Sequence, residues 1–297
     1  MAPTLFTNVN ILEGTGVLPY RGSVLVEGNR IRQVGRSTSA ITPAGATLID
    51  GAGATLMPGM VEAHTHFSWN DAATLSGIQT MPLEEHVLWC AKVAKRYLHA
   101  GFTSCLGAAC AKPRLDVVIR NAINNGQIPG PRYLAASQEI TVPGGLGDET
   151  LPHLPFPEFS FGVNVNGAED MRKSVRMFLK YGVDSIKINL SGDNFVPGAD
   201  SHTAWMTDAE VAAAVEEVKM RGKRIIVHAR SKASIQQALR HGIELIYHAS
   251  FTDTETLDMM EAAKDRIFVV PGIGILYALL NESEQWGVTR EIATGWG

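Results

Sequence analysis

Residues 222–250 read GKRIIVHARSKASIQQALRHGIELIYHAS. RIIVHA (224–229) and ELIYHA (244–249) are short apolar runs, and the stretch between them has helical spacing and stops at Gly242. Glycine adopts the left-handed turn that ends a helix at no steric cost. Two strands joined through a helix lie parallel, because a tight hairpin permits only the antiparallel pair. The same alternation extends outward through everything after Gly59. The other runs are GMVEAHTH (59–66), FTSCLGA (102–108), RYLAAS (132–137), DSIKINL (184–190) and IFVVPG (267–272). Helical stretches separate them, among them 83–100, 115–126, 168–182, 208–222 and 254–265. Thr207 with Glu210 has the spacing of a capping box at one helix start.

Seven strands alternating with helices predict an α/β fold, a (β/α)8 TIM-like barrel first and a doubly wound sheet second. No GxGxxG follows a strand, so a dinucleotide-binding sheet has no support. Seven is one strand short of a closed barrel, and about 250 residues counted from Gly59 would run past Gly297. The expectation is a barrel domain over 59–297 that lacks its last βα unit. Residues 1–58 read differently, as short β-rich runs broken by Gly, Asn and Pro, with Gly28-Asn29 at a tight hairpin. They are expected to form a small antiparallel unit, the N-terminal portion of a β-sandwich.

Composition narrows the function. Twenty-six Lys and Arg against thirty Asp and Glu leave a net charge of −4, without the basic excess that nucleic-acid or anionic-membrane partners require. No apolar run reaches the roughly 20 residues of a membrane-spanning helix, and no secretion signal opens the chain, so a cytoplasmic location is expected. Cys90, Cys105 and Cys110 show neither a disulfide framework nor zinc spacing.

The chemistry lies at strand ends. His64 and His66 share one face of their strand, since side chains alternate, and they fall at the C-terminal end, where barrel active sites lie. His228 and His248 end two further strands. Lys187 stands between Ile186 and Ile188; if the isoleucines face the helices, the lysine faces the barrel interior. A buried ammonium must lose its charge, pair with an acid or be modified. Four imidazoles and one buried lysine at the same end of a barrel point to a metal centre.

On MPGMVEAHTHF, GVDSIKINLSG, GKRIIVHARS and GIELIYHAS the chain resembles the metal-dependent amidohydrolases related to imidazolonepropionases and prolidase-like carboxypeptidases. The resemblance implies two divalent cations, zinc foremost, with His64 and His66 on one and His228 and His248 on the other. It implies a carbon dioxide-derived carbamate on Lys187 bridging both. It implies hydrolysis of an amide or other C–N bond in a small-molecule substrate. Such enzymes also need an aspartate at the eighth strand. Asp253 reads as a helix cap, Asp258 lies within a helix and Asp265 lies at the wrong end of the barrel. No catalytic residue is therefore identified beyond the metal set, the aspartate is expected beyond Gly297, and a truncated chain of weak or no activity is expected.

The loop from Glu139 to Asn166 is long; relatives often carry histidine in a GGHGD stretch where Leu146 stands here. Trp69, His153 and His202 are candidate substrate contacts, and Asp71 and Asp193 candidate partners of ligand histidines. Tyr247, alternating away from His248, reads as packing. Two alternatives stand beside the two-metal hydrolase. One is a mononuclear deaminase-type relative, although no acid closely follows His228. The other is a non-catalytic relative serving as scaffold or subunit. Homo-oligomerisation is left open, and unpaired strands beside a missing one favour self-association.

Overall fold

The computed structural model describes residues 2–36, 45–154, 156–193, 196, 198–290 and 293. The chain divides into two compact units, Met1–Met60 and Val61–Gly297. The first is one sheet of β1 (Thr4–Ile11), β2 (Tyr20–Glu27), β3 (Arg30–Gly35), β4 (Thr47–Asp50) and β5 (Thr55–Leu56). Its order is β3-β2-β1-β4, with β5 also on β1. The β2–β3 hairpin turns at Gly28-Asn29, where Gly28 has φ +60°. The sheet is mixed rather than antiparallel throughout, because β4 and β5 both pair parallel to β1. Composition marks strands well, but pairing direction depends on which earlier strand a later one returns to.

In the second unit, β6 (Met60–Thr65) leads into α1 (Leu75–Gln79) and α2 (Leu83–His99). Then come β7 (Phe102–Gly107), α3 (Leu115–Asn124), β8 (Arg132–Leu134), β9 (Ala136–Thr141), β10 (Val163–Asn164) and α4 (Ala168–Tyr181). They are followed by β11 (Ser185–Asn189), α5 (Asp208–Met220), β12 (Arg224–Ala229), α6 (Lys232–Arg240) and β13 (Leu245–His248). The last elements are α7 (Thr254–Ala262), β14 (Phe268–Val270) and α8 (Ile273–Glu282), with a 3-10 turn at Ser283–Trp286. All seven expected runs form strands, and RYLAAS divides at Ala135 between β8 and β9. The orders are β6-β7-β8 and β10-β9-β11-β12-β13-β14. The pairs from β9 to β14 are parallel, as in a TIM-like barrel. Closure into a ring is not seen among the described residues. Of the C-terminal tail, residues 291, 292 and 294–297 lie outside the described set.

Strand alternation sorts the side chains onto two faces. Ile186, Ile188, Ile225, Val227 and Ile246 pack with Val175, Phe178, Val211 and Ile235 of the helices. Each such isoleucine contributes about 1.5–3 kcal/mol by leaving water. Leu106, Ala108, Ile226, Leu245 and Tyr247 make a separate cluster on the opposite, inner face. The capping box of α5 is complete, with Thr207 Oγ1 accepting from the Glu210 amide and the Glu210 carboxylate accepting from the Thr207 amide. No described helix is long and apolar enough to cross a membrane.

Candidate active site

The outward isoleucines of β11 aim Lys187 to the inner face, and on the neighbouring strand Val227 does the same for His228. Lys187 is 1% exposed and His228 3%. At the end of β6 the alternation brings His64 together with His66, the residue just past the strand, with ring centroids 5.2 Å apart. His248 reaches the same place by another route. Tyr247 already faces inward with Leu245, so regular alternation would send His248 to the helix side with Ile246. Instead His248 has φ +73° and Ala249 φ +50°, the left-handed region. That geometry costs a non-glycine residue about 1–2 kcal/mol. The bend carries the His248 ring to 4.5 Å from His228 and 5.1 Å from His64, centroid to centroid. Strain of this kind gathers at functional sites.

Tyr247 does pack, as read from the sequence, but its position is at the centre of the site. Its fully buried ring stacks on His64 at 4.1 Å and lies 4.8 Å beneath the Lys187 Nζ. Its hydroxyl donates to the Ala63 carbonyl.

A cavity of about 220 Å³ opens on these groups. Glu62, Glu139, Asp193 and Arg230 supply its other charges, and Trp69, Leu75, Leu146 and Ile275 its apolar lining. Glu139 is the register partner of Lys187 on β9. Its Oε2 accepts from Asn189 Nδ2 at 2.7 Å, and burial raises its pKa. Burial brings Lys187 down to about 8, against the opposing pull of Glu139 and Asp193. Among the described residues no carboxylate closes a salt bridge with it. Arg230, 2% exposed, is lowered by burial to about 10 and donates from Nη1 to Ser250 Oγ at 3.0 Å. Burial also keeps the imidazoles neutral: His66 falls to about 3, and His64, His228 and His248 drop well below the usual range.

Neutral imidazoles are metal ligands, and a second ring nitrogen held by a carbonyl fixes the tautomer. His66 Nδ1 donates to the Ala109 carbonyl at 3.3 Å and His228 Nε2 to that of Gly192 at 3.1 Å, leaving each the other nitrogen. His248 Nδ1 is buried without a hydrogen-bond partner among the described residues. Gly272 (φ +68°) passes over this point, where a Cβ would stand 3.6 Å from His248 Nδ1 and 3.8 Å from His64 Nδ1. The donor set fits divalent cations by its chemistry. Among the described residues, however, no three His, Cys, Asp or Glu side chains are already grouped to enclose a cation. The cysteines stay apart from this chemistry as buried thiols, each pushed upward by burial.

Of the candidate substrate contacts, Trp69 lines the cavity and stacks on His66 at 4.5 Å. His153 is exposed and outside the lining, and so is His202, which stacks on Phe251 at 4.0 Å. Asp193 lines the cavity, whereas Asp71 is exposed and does not. Asp253 caps α7 by accepting from the Thr256 amide at 2.9 Å, Asp258 lies within that helix and Asp265 precedes β14. Sequence reasoning passed over Glu62, Glu139 and Gly272. Glu62 was within reach of the period-two rule, standing two residues before His64. Glu139 becomes visible only with the β9–β11 register.

The amidohydrolase family model matches residues 55–237. Ochratoxinase of Aspergillus niger is 27% identical over 231 residues, covering 69% of this chain and 45% of that protein. The chain thus spans about half the length of the curated relative it matches. A crystal structure of a prolidase complexed with N-methylphosphonate-L-proline is 26% identical, with a TM-score of 0.87 over 99% of this chain and 72% of that one. A Xaa-Pro dipeptidase with methionine bound in its active site is 25% identical, with a TM-score of 0.83 over 98% of this chain and 72% of that one. The inward histidines and the dry lysine thus stand in a chain most of whose length follows the pattern of a single family: it belongs to the amidohydrolases.

Proposed function

We propose that the chain carries the metal centre of a hydrolase that cleaves an amide or related C–N bond in a small molecule. The observation that supports this most is the state of Lys187. It is 1% exposed, has no salt bridge among the described residues, and is lowered by burial to about 8. A sizeable neutral fraction of such an amine is present near pH 7.5, and neutral amines add carbon dioxide. Nζ bonds to the carbon, one proton leaves to solvent, and the side chain becomes an anionic carbamate. An awkward buried cation is thereby replaced by an oxygen ligand. His64 and His66 would hold one divalent cation and His228 and His248 a second, with the Lys187 carbamate shared. Imidazole and carboxylate-type donors suit zinc. Such cations, when bound, supply Lewis acidity for the substrate carbonyl and raise the acidity of water.

The remaining work falls to the chain's own groups. The Ala109 and Gly192 carbonyls orient two of the rings. Tyr247 backs His64 and Lys187. Trp69, Leu75 and Leu146 keep part of the cavity dry, and Trp69 would wall the substrate. Likeness to proteins named prolidase, Xaa-Pro dipeptidase and ochratoxinase supports an amide-type substrate. The test is a metal count on the chain purified with zinc and bicarbonate, together with a 13C-bicarbonate NMR spectrum. Two zinc ions per chain and a carbamate resonance are expected. One metal without carbamate would favour the mononuclear deaminase alternative, and none would favour the scaffold reading.

A further inference from the structure

The cavity has two chemically distinct linings. Glu139 and Lys187 come from the buried middle of the sheet, on β9 and β11, Arg230 from just past the end of β12, and Asp193 from the loop after β11. The apolar members belong to a different structure. Leu75 and Leu146, 6% and 5% exposed, are packed in one cluster with Phe161 and Ile78, and Trp69 lies against that cluster. The Trp69 ring is stacked on His66 on one side and meets Phe161 edge-on, centroids 6.3 Å apart, on another.

This lining is held in place by the backbone. Asn189 Nδ2 donates both to the Leu146 carbonyl at 2.9 Å and to Glu139, so one buried amide joins the apolar lining to the charged one. The next residue, Gly147, accepts at its carbonyl from Ser160 Oγ at 2.6 Å and from the Gly162 amide at 2.8 Å. A loop tied down at successive carbonyls presents Leu146 in a fixed position, which lowers the ordering cost of binding.

We propose that Leu146, with Trp69 and Leu75, is the specificity-determining surface of the site. It accepts an aromatic or branched apolar group carried beside the scissile amide. The inference rests on the reading of this cavity as an amide-hydrolysing site and narrows it to one substrate class. A flat indole and two branched side chains offer area that a methyl group cannot cover, and a buried apolar pocket distinguishes ligands mainly by such area.

The experiment is calorimetric titration of the chain with N-acetylglycine, N-benzoylglycine and N-acetylphenylalanine. All three carry the same charge. The second adds a ring on the acyl side and the third on the amine side. At least one aromatic ligand is expected to bind about tenfold or more tighter than N-acetylglycine. Leu146→Asn, close to leucine in shape but polar, is expected to reduce that ratio to threefold or less, and Leu146→Met to keep it. Binding of all three within threefold by the unaltered chain overturns the inference, and so does a ratio that survives Leu146→Asn. If the asparagine variant fails to fold, the ratios of the unaltered chain still decide. A chain that prefers the aromatic ligand yet holds no metal and hydrolyses none of the three would overturn the functional reading while leaving this inference standing.

Discussion

β11 and β14 belong to one sheet and live in different solvents. Every residue of β11 is buried, whereas Phe268 and Val269 of β14 are 65% and 37% exposed. β6 resembles β14, with Val61 70% exposed. Both kinds of strand serve the site: β11 and β12 carry Lys187 and His228, β6 carries His64, and the segment after β14 brings Gly272 over the histidines. The difference shows how the chemistry is divided. Groups whose reactivity depends on dryness stand where neighbours cover both faces. The half-buried His64, His66 and His248, proposed above as metal ligands, stand where packing is thinner.

The contrast makes predictions that can fail. Lys187→Ala has the largest expected effect. Zinc affinity, measured by chelator competition, should fall by more than the roughly 10–100-fold that losing an outer partner of a metal ligand costs. An unchanged affinity would remove the lysine from the metal set. Ile188→Ala on the dry strand should cost about 2–5 kcal/mol in urea unfolding. Val269→Ala on the open strand should cost less than about 1 kcal/mol. Equal losses would mean that β14 is covered in solution.

The histidines make stability depend on pH. Burial depresses their pKa values in the folded chain, so the unfolded chain takes up more protons once the pH falls below about 6.5. Stability is complete above that value and declines toward the folded value, about 3 for His66. The metal-free chain should lose about 5 °C or more in Tm between pH 7.5 and 5.5. His66→Gln should flatten the slope, and a Tm that rises on acidification would refute the assignment. The smallest loss among the buried positions is expected for Tyr247→Phe. It removes the hydroxyl bond to Ala63 that links β13 to β6, at about 0.5–1.5 kcal/mol by denaturation.

Much of this was legible in residue order. Apolar runs and helical stretches ended by glycine predict the strands and helices after Gly59, because burial and helix termination are local demands on the backbone. The period of two pairs His64 with His66 and turns Lys187 away from its isoleucines. His248 obeys a different cause. Its inward direction comes from a left-handed bend that the letters ELIYHA do not announce, and the same bend explains how Tyr247 can back the site while its neighbour faces it. Glu139 is likewise invisible until the register sets it beside Lys187, 48 positions later. His153 and His202 carry side chains that suit a binding site, yet the loops holding them keep both exposed.

Residue order alone therefore carried the succession of strands and helices, the family pattern and the five side chains proposed as metal ligands, since motifs of a few residues announce each of them. Which acids and apolar groups meet those five depended on the folded chain. Register, loop anchoring and a strained turn bring together atoms from distant segments, and no local rule specifies such meetings.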